Sequence, residues 1–343
     1  MSNDKNKFVL GKIKHELLGK LLKDFTSGLS DDRIIMGSKL GEDAAVIDMG
    51  DKYLVAKTDP ITFATDEIGY YAVNINVNDV ACTGATPKWF QSTILLPEKD
   101  TDEDLIRSIF SNIHETCKSM NISIIGGHTE VTTGLDRPIV VGSLLGEVEK
   151  DSLVSTSGAR PGDVLILTKG IFIEGTSIIG REKEQHLIEN GYSSEFIKRC
   201  KNYLYDPGIS VLKDAILASK HFKISAMHDP TEGGLLTGIA EMAIASGTGV
   251  VMLEEEINIL PEPLELSKVF KLNPLNTISS GSLLIAIDKK ESPEYIDLLK
   301  KNGITAAEIG SFQLKTAGLI VKDKNGKKSR MEYSEIDEIT KIF

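Results

Sequence analysis

At 343 residues the chain is about two domains long, and 41% hydrophobic with 26% charged residues is enough apolar content to close two cores. Fifty acidic against 39 basic residues give a formal charge of −11, which excludes a broad basic surface tracking nucleic acid. No apolar run approaches the roughly 20 residues of a bilayer-crossing helix and the opening residues lack a signal-peptide core, so a soluble, cytoplasmic protein with no membrane partner is expected.

In chain order, Lys12 and Lys14 lie near the start of a first helix, either solvated or, at the mouth of a nucleotide site, within reach of phosphate. Residues 33–36 and 53–57 read as strands bounded by Gly, Asp or Pro. Residues 66–82 read as a helix carrying Asn74, Asn78 and Asp79 in an otherwise apolar, small-residue segment, so those polar groups need partners or a ligand. Thr101-Asp-Glu-Asp104 resembles a capping box, and Leu105, Ile109, Ile113 and Cys117 recur at helical spacing, which predicts an amphipathic helix over 102–120. Strands follow at 122–125 and 139–148, and the turn-rich stretch 155–162 marks a domain boundary, giving domains of 1–154 and 155–343. The second half predicts strands at 164–168, 224–227, 250–253, 283–287 and 305–309, with helices between them at 175–220, 235–246, 264–271 and 294–302. That order makes an α+β layer of helices on a mixed sheet.

Neither G-x-x-x-x-G-K-[ST] nor a strand followed by G-x-G-x-x-G occurs, so neither a Walker-type nor a Rossmann nucleotide site is supported. Instead, short acidic or glycine loops recur at element ends: Gly41-Glu-Asp43, Thr58-Asp59-Pro60, Asn78-Asp79 and Gly126-Gly-His128-Thr-Glu130. Separate carboxylates on rigid elements suit Mg²⁺ bound to polyphosphate, while each Asp alone is equally a turn or helix cap. His228-Asp229-Pro-Thr-Glu-Gly233-Gly234 precedes a helix, where two glycines would free N–H groups for an anion or make a tight turn. His228 is open to a reacting or a structural role. The cysteines at 82, 117 and 200 have no zinc-ligand spacing and read as buried packing residues.

Taken together, GEDAAVID (41–48), KTDPITF (57–63), AVNINVNDVACTGATPKWF (72–90), IIGGHTEVT (124–132), MHDPTEGGLLTGIAE (227–241) and ISSGSLLIAI (278–287) closely resemble the aminoimidazole ribonucleotide synthetase (PurM)-like superfamily, nearest to its HypE branch. The resemblance implies a PurM-like fold with a dimer-forming, β-rich N-terminal α/β domain and a C-terminal α/β domain, with ATP in the cleft between them. It assigns Asp43, Asp59 and Asp79 to Mg²⁺, and Asn78, Gly126, Gly127, Thr129, Gly233 and Gly234, with Lys12, to the nucleotide. His128, Glu130, His228 and Asp229 fall at the reacting end. His128 stands where HypE and thiamine-monophosphate kinases carry Asp, and no cysteine follows Cys200, whereas HypE uses a terminal Cys as its carbamoyl acceptor. The implied activity is Mg-dependent phosphoryl transfer from ATP to a small molecule bearing a carbonyl- or amide-type acceptor, by a homodimer. The alternatives are a thiamine-monophosphate-type kinase and a non-catalytic ATP-binding maturation partner.

Overall fold

The computed structural model describes residues 11, 13–26, 28, 31–37, 41–334 and 336–343; Lys12 lies outside them. The first half runs α1 (His15–Thr26), β1 (Ile34–Met36), β2 (Ala45–Asp48), β3 (Lys52–Ile61), α2 (Ile68–Cys82), β4 (Thr86–Pro97), α3 (Glu103–Ser119), β5 (Ser123–Thr132) and β6 (Ile139–Glu149). Its six strands lie in the order β1-β2-β3-β6-β4-β5. All pairs are antiparallel except β4 with β5, which α3 connects as a crossover. No helix among the described residues is long and apolar enough to cross a membrane.

Helix α2 is buried on nearly every side, which explains its lack of an amphipathic stripe. Asn74 and Asn76 satisfy their NH₂ groups on carbonyls one turn back, at Tyr70 and Ala72. A Cβ on Gly142 of β6 would meet Asn76 Nδ2 at 2.3 Å, so a residue without a side chain is what lets α2 lie this close to the sheet. The alternating burial of β6 follows: its even-numbered residues face α2, and its odd-numbered ones face the other side. On that other side Trp89, Leu95, Val141 and Leu145 stay half-buried among Gln91, Thr93 and Ser143, so this sheet face is open and mixed in character.

The second half runs β7 (Val164–Thr168), α4 (Ile173–Glu182), α5 (Glu184–Glu189), α6 (Ser194–Asn202), α7 (Leu212–His221), β8 (Ile224–His228), α8 (Gly234–Ser246), β9 (Gly249–Leu253), α9 (Pro261–Phe270), β10 (Leu284–Ile287), α10 (Ser292–Lys301), β11 (Ala306–Gln313), β12 (Leu319–Lys322) and β13 (Lys328–Arg330). Seven strands order as β13-β12-β9-β11-β7-β10-β8. The halves share one apolar core, in which Ile173 and Ile178 of α4 pack with Ile68 and Tyr71 of α2. The Tyr71 hydroxyl also donates to Ser177 Oγ at 3.0 Å.

Several expectations change. The N-cap of α3 is Asp102, which accepts from the Leu105 N–H; Thr101 instead donates to the Pro97 carbonyl. Thr58-Asp59-Pro60 is not a loop after a strand but the end of β3, because β6 pairs with it through Ile61. Gly126 to Glu130 is likewise strand: β5 continues to Thr132 against β4, itself absent from the expected strands. Gly127 has φ of +149°, and a Cβ there would meet the Ser92 carbonyl at 2.2 Å, so glycine is needed for this pairing.

Candidate active site

Four elements converge at the junction of the halves: the loop before β2, the middle of β3, the C-terminal half of α2 and the end of β8. Asp79 and Cys82, one turn apart on α2, face the same way. Asp79 meets the Lys57 ammonium at 3.1 Å, and Lys57 also reaches Asp59 at 3.3 Å. Cys82 Sγ lies 3.8 Å from Asp229 Oδ1, and one ligand atom each from Asp43, Cys82 and Asp229 fall within 4.8 Å of one another. Asp43 in turn accepts from Thr156 Oγ1 at 3.0 Å and pairs with His228 Nδ1 at 2.9 Å. The other ring nitrogen, Nε2, is 3.0 Å from Glu241 of α8.

The electrostatics of this cluster are dominated by burial. Asp229 is 1% and Asp79 4% exposed. Burial pushes the Asp229 carboxyl up to about 7, Asp43 and Asp59 add to the push, and His228 and Lys57 oppose it. Burial likewise holds Asp79 well above the usual carboxylate range against the pull of Lys57, with Asp229, Asp59 and Asp43 raising it further. His228 goes the other way. Burial disfavours its charge, yet the carboxylates of Asp43 and Glu241 outweigh that and hold the ring well above its ordinary value. An acid within hydrogen-bond distance of each ring nitrogen favours the doubly protonated ring, in which both nitrogens donate.

Asp229 Oδ2 has no hydrogen-bond partner, and Asp79 Oδ2 has only the Lys57 ammonium without hydrogen-bond geometry. Buried carboxylate oxygens left this way disfavour the ionised site unless a cation joins them. Oxygen donors are what a hard divalent cation takes: Asp43 and Asp229 lie within 4.8 Å of each other, and Asp59 and Asp79 are joined beside them through Lys57.

The remaining residues predicted for the site lie elsewhere. Asp59 pairs across the sheet with Gly142, Gly142 with Ser92, and Ser92 with Gly127, so Gly127 is three interstrand spacings, about 14 Å, from Asp59. His128, in register with Val141 through Thr93, and Glu130, in register with Ile139 through Leu95, lie 3.1 Å apart on the open face of the sheet, opposite α2. Thr129 is exposed on the same edge strand. Asn78 uses both ends of its amide on the backbone of 209–211, donating to the Ile209 carbonyl and accepting from the Val211 N–H, each at 2.8 Å. The N–H groups of Gly233 and Gly234 are not free as expected: Asp337 accepts the first at 2.6 Å and the Thr231 carbonyl accepts the second at 3.0 Å. The anion at that helix start is the chain's own Asp337. All three cysteines are buried as expected, but Cys82 lies against the acidic cluster.

Sequence reasoning missed Lys57, Thr156, Glu241 and the position of Cys82. Lys57 had a visible signal, since it precedes Thr58-Asp59 at the spacing that puts Lys57 and Asp59 on one face of a strand. Glu241 closes the MHDPTEGGLLTGIAE segment, but nothing local ties it to His228.

An acid-lined cleft between two α/β layers, one of them an open-faced sheet, defines the class, and comparison with known proteins places the chain in it. The chain belongs to the AIR synthase related protein family: the N-terminal domain model matches residues 41–148 and the C-terminal one residues 160–320. A putative hydrogenase expression/formation protein of Methanocaldococcus jannaschii is 30% identical over 294 residues, 84% of each chain. The carbamoyl dehydratase HypE of Rhodobacter capsulatus is 26% identical over 317 residues, 88% of each. Of solved structures, AaThiL complexed with AMPPCP and TMP matches with a TM-score of 0.71 at 21% identity, covering 94% of this chain and 98% of that one. The expected PurM-like two-domain fold, close to HypE, is the fold of this chain.

Proposed function

We propose that the chain is an ATP-dependent phosphoryl-transfer enzyme that requires Mg²⁺ and acts on a small molecule with a carbonyl- or amide-type acceptor. The observation that carries this reading is the buried acidic cluster at the junction of the halves, in which Asp229 Oδ2 has no hydrogen-bond partner and Asp79 Oδ2 has only the Lys57 ammonium at 3.1 Å. Relatives named as a selenide, water dikinase and a thiamine-monophosphate kinase support phosphoryl transfer, and similar solved structures described as complexes with ATP and with AMPPCP support ATP as the donor. Bound Mg²⁺ would neutralise phosphate charge. Asp43, Asp59, Asp79 and Asp229 would hold it. His228, held between Asp43 and Glu241, ties the two halves together and would present positive charge to the phosphates.

Calorimetry with purified protein tests this. ATP should bind with Mg²⁺ and not in EDTA, and Asp79→Asn should weaken MgATP by about 1–3 kcal/mol, the scale of one charged contact. Equal affinity in EDTA, or an unchanged folded variant, would count against the assignment.

The homodimer reading rests on the same half of the molecule. Strand β5 is an exposed edge whose Ile124, Ile125 and Val131 are each about half exposed, and it borders the open sheet face that carries Trp89, Leu95, Val141 and Leu145. Such an edge invites pairing with another chain. In that assembly Gly126, Gly127 and Thr129 of one copy and the acids of the other would share a nucleotide. Sedimentation equilibrium at micromolar concentration should return twice the chain mass, and an Ile125→Lys substitution should return one chain mass; a wild-type monomer would overturn the reading.

A further inference from the structure

Cys117 and Cys200 are enclosed in the apolar core, but the third buried cysteine, Cys82 at the end of α2, has acids beside its sulfur. One ligand atom each from Asp43, Cys82 and Asp229 lie within 4.8 Å of one another, an arrangement that draws on both halves of the chain. The cations nearby are engaged with other acids: Lys57 pairs with Asp59 and Asp79, and His228 with Asp43 and Glu241. Among the described residues, Asp229 is in no ion pair, its Oδ1 accepts only from the Cys82 thiol, at 3.8 Å, and its Oδ2 accepts from nothing. A thiol is a weak donor, so this carboxylate, only 1% exposed, is poorly satisfied for a buried acid. The spacing suits a metal ion between the two groups. A tetrahedral centre bonded at about 2.3 Å to sulfur and about 2.1 Å to a carboxylate oxygen sets those two atoms about 3.6 Å apart, close to the observed 3.8 Å. Asp43, the third ligand, is held in orientation by Thr156 Oγ1 and His228 Nδ1.

We propose that Asp43, Cys82 and Asp229 bind a thiophilic divalent cation of the zinc class, with Cys82 as its sulfur ligand. A soft thiolate selects zinc, whereas magnesium takes oxygens alone and leaves the thiol as it is. On zinc binding the Cys82 S–H bond breaks, a metal–sulfur bond forms and the proton leaves to solvent, so the thiolate never stands uncompensated beside two carboxylates. That zinc and magnesium exclude each other rests on the function proposed above, because the two ions would share Asp43 and Asp229; the cysteine ligand itself stands on the geometry alone.

Cobalt(II) substitutes for zinc in such sites, and a thiolate bound to it gives a near-ultraviolet charge-transfer band that oxygen ligands do not. Titrating the full chain with cobalt(II) under anaerobic conditions should raise this band, and zinc should abolish it. Cys82→Ser should remove the band and lower the ratio of zinc to magnesium affinity, measured by calorimetry, by about 100-fold, the upper end of what losing even an outer-shell partner costs. The variant Cys117→Ser/Cys200→Ser retains Cys82 as its single cysteine and should keep both the band and the ratio. This second variant keeps the test decisive if Cys82→Ser fails to fold. No band in the wild type, a band that survives Cys82→Ser, or a band lost from the folded Cys117→Ser/Cys200→Ser chain would overturn the proposal. Saturating Mg²⁺ should weaken the apparent cobalt(II) affinity, and an unchanged affinity would overturn the mutual exclusion. MgATP titrated into the same protein separates the two readings: MgATP binding without a cobalt–sulfur band overturns the cysteine ligand alone, and the band without MgATP binding overturns the nucleotide reading alone.

Discussion

In EDTA, the folded chain should lose stability steadily as pH rises from about 5 to 8, and millimolar Mg²⁺ should flatten that decline. Burial raises Asp337 from 3.8 to about 6, Asp229 from 3.8 to about 7 and Glu174 from 4.5 to about 8, and it also raises Asp79. Between its ordinary and raised values each acid holds its proton in the folded chain and has lost it in the unfolded one. The folded state then binds more protons, so stability falls with rising pH. His228 acts in the same sense: the stability from its pairing with Asp43 and Glu241 is complete below its ordinary value of 6.5 and is lost as pH climbs through the raised one. The acids whose values are lowered, such as Asp31 at about 2 beside Arg33, act only below about pH 5 and leave this window alone. With one pKa unit worth about 1.4 kcal/mol, the summed decline should reach several kcal/mol. Cation binding by the Asp79 and Asp229 carboxylates favours their ionised forms, which removes their part of the slope. Urea unfolding followed by circular dichroism at pH 5, 6.5 and 8, with EDTA and with Mg²⁺, gives both curves. A profile that is level or rising in EDTA would refute the proton accounting, and a Mg²⁺ curve identical to the EDTA one would refute the cation site.

What the sequence disclosed depended on whether the information was local. Helix α3 was legible almost to the residue because its apolar stripe and its acidic first turn are both written within 17 residues. Strand β4 was not, and neither was the true length of β5. Both are stabilised by pairing with strands distant in the chain, and the glycines at 126 and 127 look like loop residues until the close approach of Ser92 is known. The acids at 43, 59, 79 and 229 could be picked out as types of residue, but the His228 link to Asp43 spans 185 positions and no periodicity encodes it. Glycines 233 and 234 were misjudged for a related reason. Their N–H groups look available only until the chain returns Asp337 to them 104 residues later. Glu174, a lone acid between apolar Ile173 and the small Gly175 and Thr176, was readable as an anomaly in a buried helix and passed unremarked.

Lys57→Met should make the chain more responsive to Mg²⁺ while making it less stable without it. The ammonium lies 3.1 Å from Asp79 and 3.3 Å from Asp59, so it holds two carboxylates at once, in the position where a divalent cation would also bridge them. Removing it leaves Asp79, almost fully buried, among Asp43, Asp59 and Asp229, with no cation among the described residues but the His228 ring. Breaking a buried pair in this way costs roughly 3–5 kcal/mol, and the lower end applies because the Lys57 side chain is still 21% exposed. Methionine keeps the apolar stem that packs along β3, so the loss reports charge more than volume. If a divalent cation uses the same oxygens, it competes with the ammonium in the wild type and meets no competitor in the variant. The Mg²⁺-induced rise in melting temperature should then be larger for Lys57→Met than for the wild type, and the variant should recover most of its deficit in saturating Mg²⁺. Adding Asp79→Asn provides the cross-check. The double variant lacks both the ammonium and the stranded charge, so in EDTA it should be more stable than Lys57→Met alone, a coupling of the kind measured by double-mutant cycles. A variant destabilised to the same degree with and without Mg²⁺ would show that Lys57 is a structural tie and that the cation, if one binds, does so at other oxygens.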